Sequence, residues 1–162
     1  MEGWSDGVSG KASLEPNTPL LQYSSLPHLP HGVRFECTRC GACCTGAPGI
    51  VRISEPEQQA MAKSLEITHE SFSGRYLREV DGETSLRESA NGDCVFLRDN
   101  QCQVHAVRPQ QCRTYPFWFK NLRSEANWKR TCAECPGIGE GRLYGREEIL
   151  ARVAGELDAD PE

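Results

Sequence analysis

Four cysteines within eight positions, Cys37, Cys40, Cys43 and Cys44 in the stretch CTRCGACC, constrain this chain more than any other feature. Five more follow: Cys94, Cys102 and Cys112 at gaps of seven and nine residues, then Cys132 and Cys135 at a gap of two. Nine thiols in 162 residues admit three readings: a disulfide framework, a metal site, or scattered buried thiols. The opening MEGWSDGVSGKASLEPNTPL lacks a basic start followed by an apolar run, so it does not read as a secretory signal. No segment approaches the roughly 20 apolar residues of a membrane span. The expected compartment is a reducing cytoplasm. There, closely spaced cysteines serve as metal ligands or redox groups more often than as permanent cross-links, and an odd number fits full pairing poorly.

A two-residue gap lets a pair of thiolates converge on one centre about 2.3 Å from each, and Gly41 and Ala42 are small enough for the tight turn this needs. Adjacent side chains ordinarily diverge. Cys43 and Cys44 are therefore expected between two neighbouring sulfur-lined sites, or on two sides of one larger cluster. One division places Cys37, Cys40, Cys43 and Cys135 in a first site and Cys44, Cys94, Cys102 and Cys112 in a second, with one cysteine left over. All-thiolate knuckles suit tetrahedral zinc, whereas a C-x2-C-x2-C run with a distant Cys135-Pro136 suits an iron–sulfur cluster. Arg34, Arg39, Arg98, Arg108 and Arg113 flank the cysteines and could offset the negative charge of such a centre. His105 could replace a thiolate, although a histidine beside a turn is ordinarily a structural hydrogen-bonding residue.

Charge narrows the partners. The net charge of -5 comes from the ends, since residues 34–145 carry 15 basic and 14 acidic side chains, which argues against a nucleic-acid or membrane partner. Residues 113–130 mix basic and aromatic side chains as a single-strand binder would, but Tyr115, Phe117, Trp118 and Phe119 are too many large apolar groups in sequence for all to be exposed and are expected to pack in the core beside the cysteine cluster. GIGEGRLYG lacks the dinucleotide-binding spacing and is expected to turn against the metal site. No cysteine is singled out beside a base, and no substrate pocket is legible, so no catalytic residue is assigned.

Residues 1–33 read as a disordered or extended arm, with Leu20, Leu21, Tyr23, Leu26 and Leu29 available to pack on the domain. A cysteine-cluster domain over 34–157 and an acidic tail over 158–162 follow. Within the domain, GIVRIS predicts a short strand. Ser54 with Glu57 and Pro56 predicts a capped helix burying Ala60, Met61, Ser64 and Leu65. Thr68 caps a second helix, bent at Gly74, with Phe72, Tyr76 and Leu77 inward. A hairpin is expected around Asp99-Asn100, a short helix carrying Cys112 after Pro109, and a last helix over 146–157 buried through Ile149, Val153 and Leu157.

The stretches FECTRCGACC, GDCVFLRDNQCQVHAVRPQQCRTYPF and CPGIGEG together resemble the CxxCxxCC family of zinc- or iron-chelating proteins, the YkgJ-like cysteine-cluster proteins, from about Phe35 to Gly141. The resemblance implies a metal cluster carried by Cys37, Cys40, Cys43, Cys44, Cys94, Cys102, Cys112 and Cys135. Cys132 is extra to the pattern and serves as a substitute at most. The expected fold is α+β: a small metal-stabilised domain with short strands, a hairpin and three to four helices. The expected function is binding of zinc or iron, including an iron–sulfur cluster, in electron transfer, metal handling or support of an enzyme, with metal ions and a protein as partners. The alternative is a zinc-structured module that binds RNA or protein.

Overall fold

The molecule, a computed structural model, is described over residues 32–46 and 49–157. The expectations for the acidic tail and for all but the end of the N-terminal arm lie outside the described residues. Helix α1 (Glu55–Ser64) starts where the sequence places its cap: the Ser54 N–H and hydroxyl both donate to a Glu57 carboxylate oxygen, at 2.9 and 2.8 Å, and Pro56 occupies the first turn. Its inward face differs from expectation. Met61 is fully buried, but Gln58 and Ala62 accompany it, while Ala60 and Ser64 are exposed. The face is set by α2 (His69–Tyr76), whose His69 ring meets the Gln58 amide at 3.0 Å. Thr68 accepts from the Ser71 N–H at 3.1 Å and caps α2, which runs through Gly74 without interruption.

Strand β2 (Leu77–Val80) pairs with β3 (Glu83–Leu86) around Asp81 and Gly82, both at positive φ. Residues 50–54 run along β3 without forming the regular strand expected of GIVRIS; only Arg52 makes a bridge, to Ser85. Side chains take the N–H groups a ladder would need, since Val51 donates to the Ser85 hydroxyl at 3.0 Å and Arg52 to the Gln111 amide oxygen at 2.8 Å. The expected hairpin is present as β4 (Leu97–Arg98) and β5 (Gln101–Cys102), with Asp99 and Asn100 at φ 49 and 59. Cys102 rides one arm, and Cys94 precedes the other.

After a 3-10 turn over His105–Val107, helix α3 (Gln110–Thr114) carries Cys112 behind Pro109. Helices α4 (Phe119–Leu122) and α5 (Glu125–Glu134) were not legible in the sequence, although Ser124 caps α5 by accepting from the Asn127 N–H at 3.2 Å. Nor was β6 (Arg142–Tyr144), which pairs antiparallel with β1 (Val33–Phe35) at the other end of the chain. Helix α6 (Arg146–Leu157) forms as expected, with Ile149 and Val153 buried.

The architecture is α+β, with three two-stranded antiparallel pairs and four helices of eight residues or more among the described residues. Two apolar cores divide it. One lies under α1, α2 and the β2–β3 pair and gathers Ile53, Met61, Phe72, Leu86, Phe96 and Val104. The other joins β1 and β6 to α4, α5 and α6 through Phe35, Phe117, Leu122, Trp128, Ile149 and Val153. Each fully buried large side chain contributes about 1.5–3 kcal/mol. Cys94 and Cys102 pack against the first core, and Cys135 belongs to the second.

Candidate metal centre

The first four cysteines occupy a loop held by its backbone. Gly41, at φ 75, turns the chain so that its carbonyl accepts from the Cys44 N–H at 2.8 Å, and Ala42–Cys44 form a single 3-10 turn. A β-carbon at Gly41 would stand 2.8 Å from the Asn100 carbonyl, so the loop can seat on the tip of the β4–β5 hairpin only as glycine. The Cys94 N–H donates to the Cys44 carbonyl at 2.7 Å and joins loop to hairpin from the other side. At the far end, the Gly137 carbonyl accepts from the Glu36 N–H at 3.1 Å, which ties the residues after Cys135 to those before Cys37.

These contacts bring eight of the nine thiols to one cavity of about 60 Å³, lined by Cys37, Cys40, Cys43, Cys44, Cys94, Cys102, Cys112 and Cys135. Cys132 lies exposed on α5, outside the cavity lining. All nine are free thiols; Cys37, Cys40 and Cys43 are exposed, Cys135 is buried, and the remaining cavity thiols are intermediate. Adjacent side chains were expected to diverge, yet the sulfurs of Cys43 and Cys44 approach to 3.9 Å because the 3-10 turn folds them together. Four sulfurs placed tetrahedrally 2.3 Å from an ion stand about 3.8 Å apart, so this pair already has the spacing of one edge.

The thiols interact chiefly with one another. Cys44 hydrogen-bonds Cys102, Cys43 and Cys94, which raises its own pKa and lowers theirs. Cys102 falls to about 6, first through Cys44 and against burial, with the Val104 N–H and Arg108 assisting. Cys112 moves up by burial and by the neighbouring sulfurs. Among the described residues no group of three or more His, Cys, Asp or Glu side chains yet stands in a geometry that would hold an ion. The donor chemistry fits nonetheless: soft sulfurs in a small cavity, with Cys43, Cys94 and Cys102 held below the usual thiol range by their contact with Cys44, suit zinc or iron, and a metal would replace the protons these thiols share.

Two of the five flanking arginines, Arg39 and Arg108, line the cavity. Arg34 and Arg98 donate to the carbonyls of Gly141 and Leu97, and Arg113 donates to the Arg108 carbonyl and pairs with Glu57. His105 also lines the cavity, its ring nitrogen 3.4 Å from the Cys37 sulfur; burial, then Arg108 and Arg39, lower its pKa. Tyr115, expected in the core beside the cluster, packs against the second core and also lines the cavity, with its ring edge-on to Trp118 at 5.0 Å. Burial raises its pKa, and the charges of Cys135 and Cys43 raise it further. The one readable signal of this placement is its position three residues after Cys112.

Residues 36–136 match the model of the CxxCxxCC family, described as "Putative zinc- or iron-chelating domain". No solved structure matches the chain. No helix of the described residues is long and apolar enough to cross a membrane.

Proposed function

The chain belongs to the CxxCxxCC family, and from that premise we propose that it holds zinc or iron through Cys37, Cys40, Cys43, Cys44, Cys94, Cys102, Cys112 and Cys135 and exchanges it with a protein partner. The convergence of eight sulfurs on one cavity carries this reading. The exposure of Cys37, Cys40 and Cys43 favours metal handling over a sealed structural ion, because thiols reachable from solvent can pass an ion by ligand exchange. Bound metal would supply positive charge to a cluster of thiolates. The chain's own residues would orient it: Arg39 and Arg108 offset residual negative charge, and His105 contacts Cys37 at the mouth. In a two-site arrangement Cys44, which contacts Cys43, Cys94 and Cys102, would stand where the two sites meet.

Anaerobic purification followed by elemental analysis and visible absorption tests the reading. Stoichiometric zinc in colourless protein supports zinc handling. Brown protein with acid-labile sulfide moves the assignment to an iron–sulfur centre and electron transfer. Protein that takes up neither metal under reducing conditions defeats it. Cys44→Ser should lower metal content; full retention would defeat the two-site arrangement.

A further inference from the structure

Among the residues that line the sulfur cavity, His105 alone could bind an ion through a side-chain nitrogen, since the guanidinium groups of Arg39 and Arg108 only donate hydrogen bonds. It stands on the 3-10 turn that follows the β4–β5 hairpin, three residues after Cys102, and reaches Cys37 on the opposite loop. Its Nε2 lies 3.4 Å from the Cys37 sulfur. Around a tetrahedral ion, a sulfur at about 2.3 Å and a nitrogen at about 2.0–2.1 Å stand about 3.5 Å apart, so the pair spans one edge of a mixed nitrogen–sulfur site. Cys37 is also set apart from the deeper sulfurs: the contacts of Cys44 take in Cys43, Cys94 and Cys102 but not Cys37.

The nitrogen that meets Cys37 is the one with a lone pair to give. Arg108 Nη1 lies nearer Nε2, at 2.8 Å, than Nδ1, at 3.0 Å, and a guanidinium facing a ring nitrogen needs an acceptor there. A cation thus already stands at Nε2. The same Nη1 donates to the His105 carbonyl at 2.7 Å, a bond that does not involve the ring, so Arg108 can give up Nε2 to another cation and keep its hold on the turn.

We propose that His105 is a further ligand of the metal centre and binds, through Nε2, the same ion as Cys37. The inference rests on the metal reading above and sharpens it: the ion at the mouth has a mixed ligand set, while the sulfurs around Cys44 hold theirs through sulfur alone. A neutral imidazole in place of a thiolate removes one negative charge from the mouth site, so the ion there is held less tightly than its neighbour and is the one a partner takes.

The test loads the whole chain anaerobically, under reductant, with an NMR-active cadmium isotope. A correlation between bound cadmium and an imidazole ring is expected, and its loss in His105→Gln assigns it. The same variant should weaken binding of the mouth ion about tenfold or more, since even the loss of a partner behind a ligand costs that much. His105→Cys should restore tight binding and move the cadmium resonance to that of an all-sulfur site. If His105 only hydrogen-bonds Cys37, cadmium will bind with all-sulfur resonances and no ring correlation; that result overturns this proposal and leaves the metal reading standing. A chain that takes up no cadmium, zinc or iron defeats both.

Discussion

The two apolar cores are assembled from different kinds of sequence. The core under α1 and α2 draws its buried residues from one continuous stretch, Ile53 to Val104, and its helices and hairpins are neighbours in the chain. The core under α6 closes over a long separation: Val33 and Phe35 pack with Phe117, Trp128 and Val153, and β1 finds its partner in β6. The first needs little loop closure, whereas the second must bring distant segments together before any burial rewards it. Sulfur lies between them, with Cys94 and Cys102 on the first core and Cys135 in the second. A metal in this cavity would fasten the long-range core to the local one.

Removing the metal should therefore expose the difference, with the largest effect of any change considered. An ion that binds only the folded arrangement of thiols adds its binding free energy to folding, on the order of 10 kcal/mol for thiolate zinc sites. Chelation under reducing conditions should lower the melting temperature and raise amide exchange first in β1, β6 and α5, while α1 and α2 keep their protection. Unchanged melting and exchange would separate the fold from the metal.

Truncation of the cores comes next in size. Phe72 and Phe117 are 0% and 1% exposed, and replacing either with alanine should cost about 3–5 kcal/mol. In metal-loaded protein each substitution should lower a single cooperative denaturation midpoint. In metal-free protein Phe117→Ala should leave the exchange protection of α1 and α2 intact. Global loss in both forms would erase the distinction between the cores.

The same contrast explains which parts of the fold were legible. Ser54 with Glu57, Thr68, and Asp99-Asn100 each announce a local geometry within four residues, and all three elements formed in the local core or beside it. Arg142–Tyr144 has no such signal: it is a strand because Val33–Phe35 lies beside it, and no local spacing encodes that pairing. At the site, the family resemblance pointed to the eight thiols that line the cavity, whereas short intervals alone would have included Cys132, which is separated from Cys135 by two residues in the chain and lies outside the cavity. The rule that adjacent side chains diverge failed at Cys43 and Cys44, whose approach depends on a 3-10 turn.

A smaller effect probes the contact between α1 and the helix that carries Cys112. Glu57 accepts from Ser54 and from the Gln110 N–H, the latter at 2.6 Å. Burial works to raise its pKa, but the N–H groups of Ser54 and Gln110, the Ser54 hydroxyl and Arg113 outweigh it and hold the carboxyl below its ordinary value. Its contribution is thus complete above the unfolded pKa near 4.3 and is lost as pH falls through the lower folded value. Glu57→Gln should destabilise by about 1 kcal/mol at neutral pH, and the gap in denaturation midpoint should close under acid. A gap independent of pH would show that the ionised carboxylate is not what matters. Smallest of all, Cys132→Ser on the exposed face of α5 should change stability by less than about 0.5 kcal/mol and leave metal content intact.

The tie between Gly137 and Glu36 sets an order on biosynthesis. A nascent polypeptide that has displayed Cys37 to Cys44 to the surrounding medium still lacks the surface that Cys135 will supply, and translation must reach the glycines beyond it before the pouch can shut. Throughout that interval the early sulfurs stand open to oxidants and to adventitious ions.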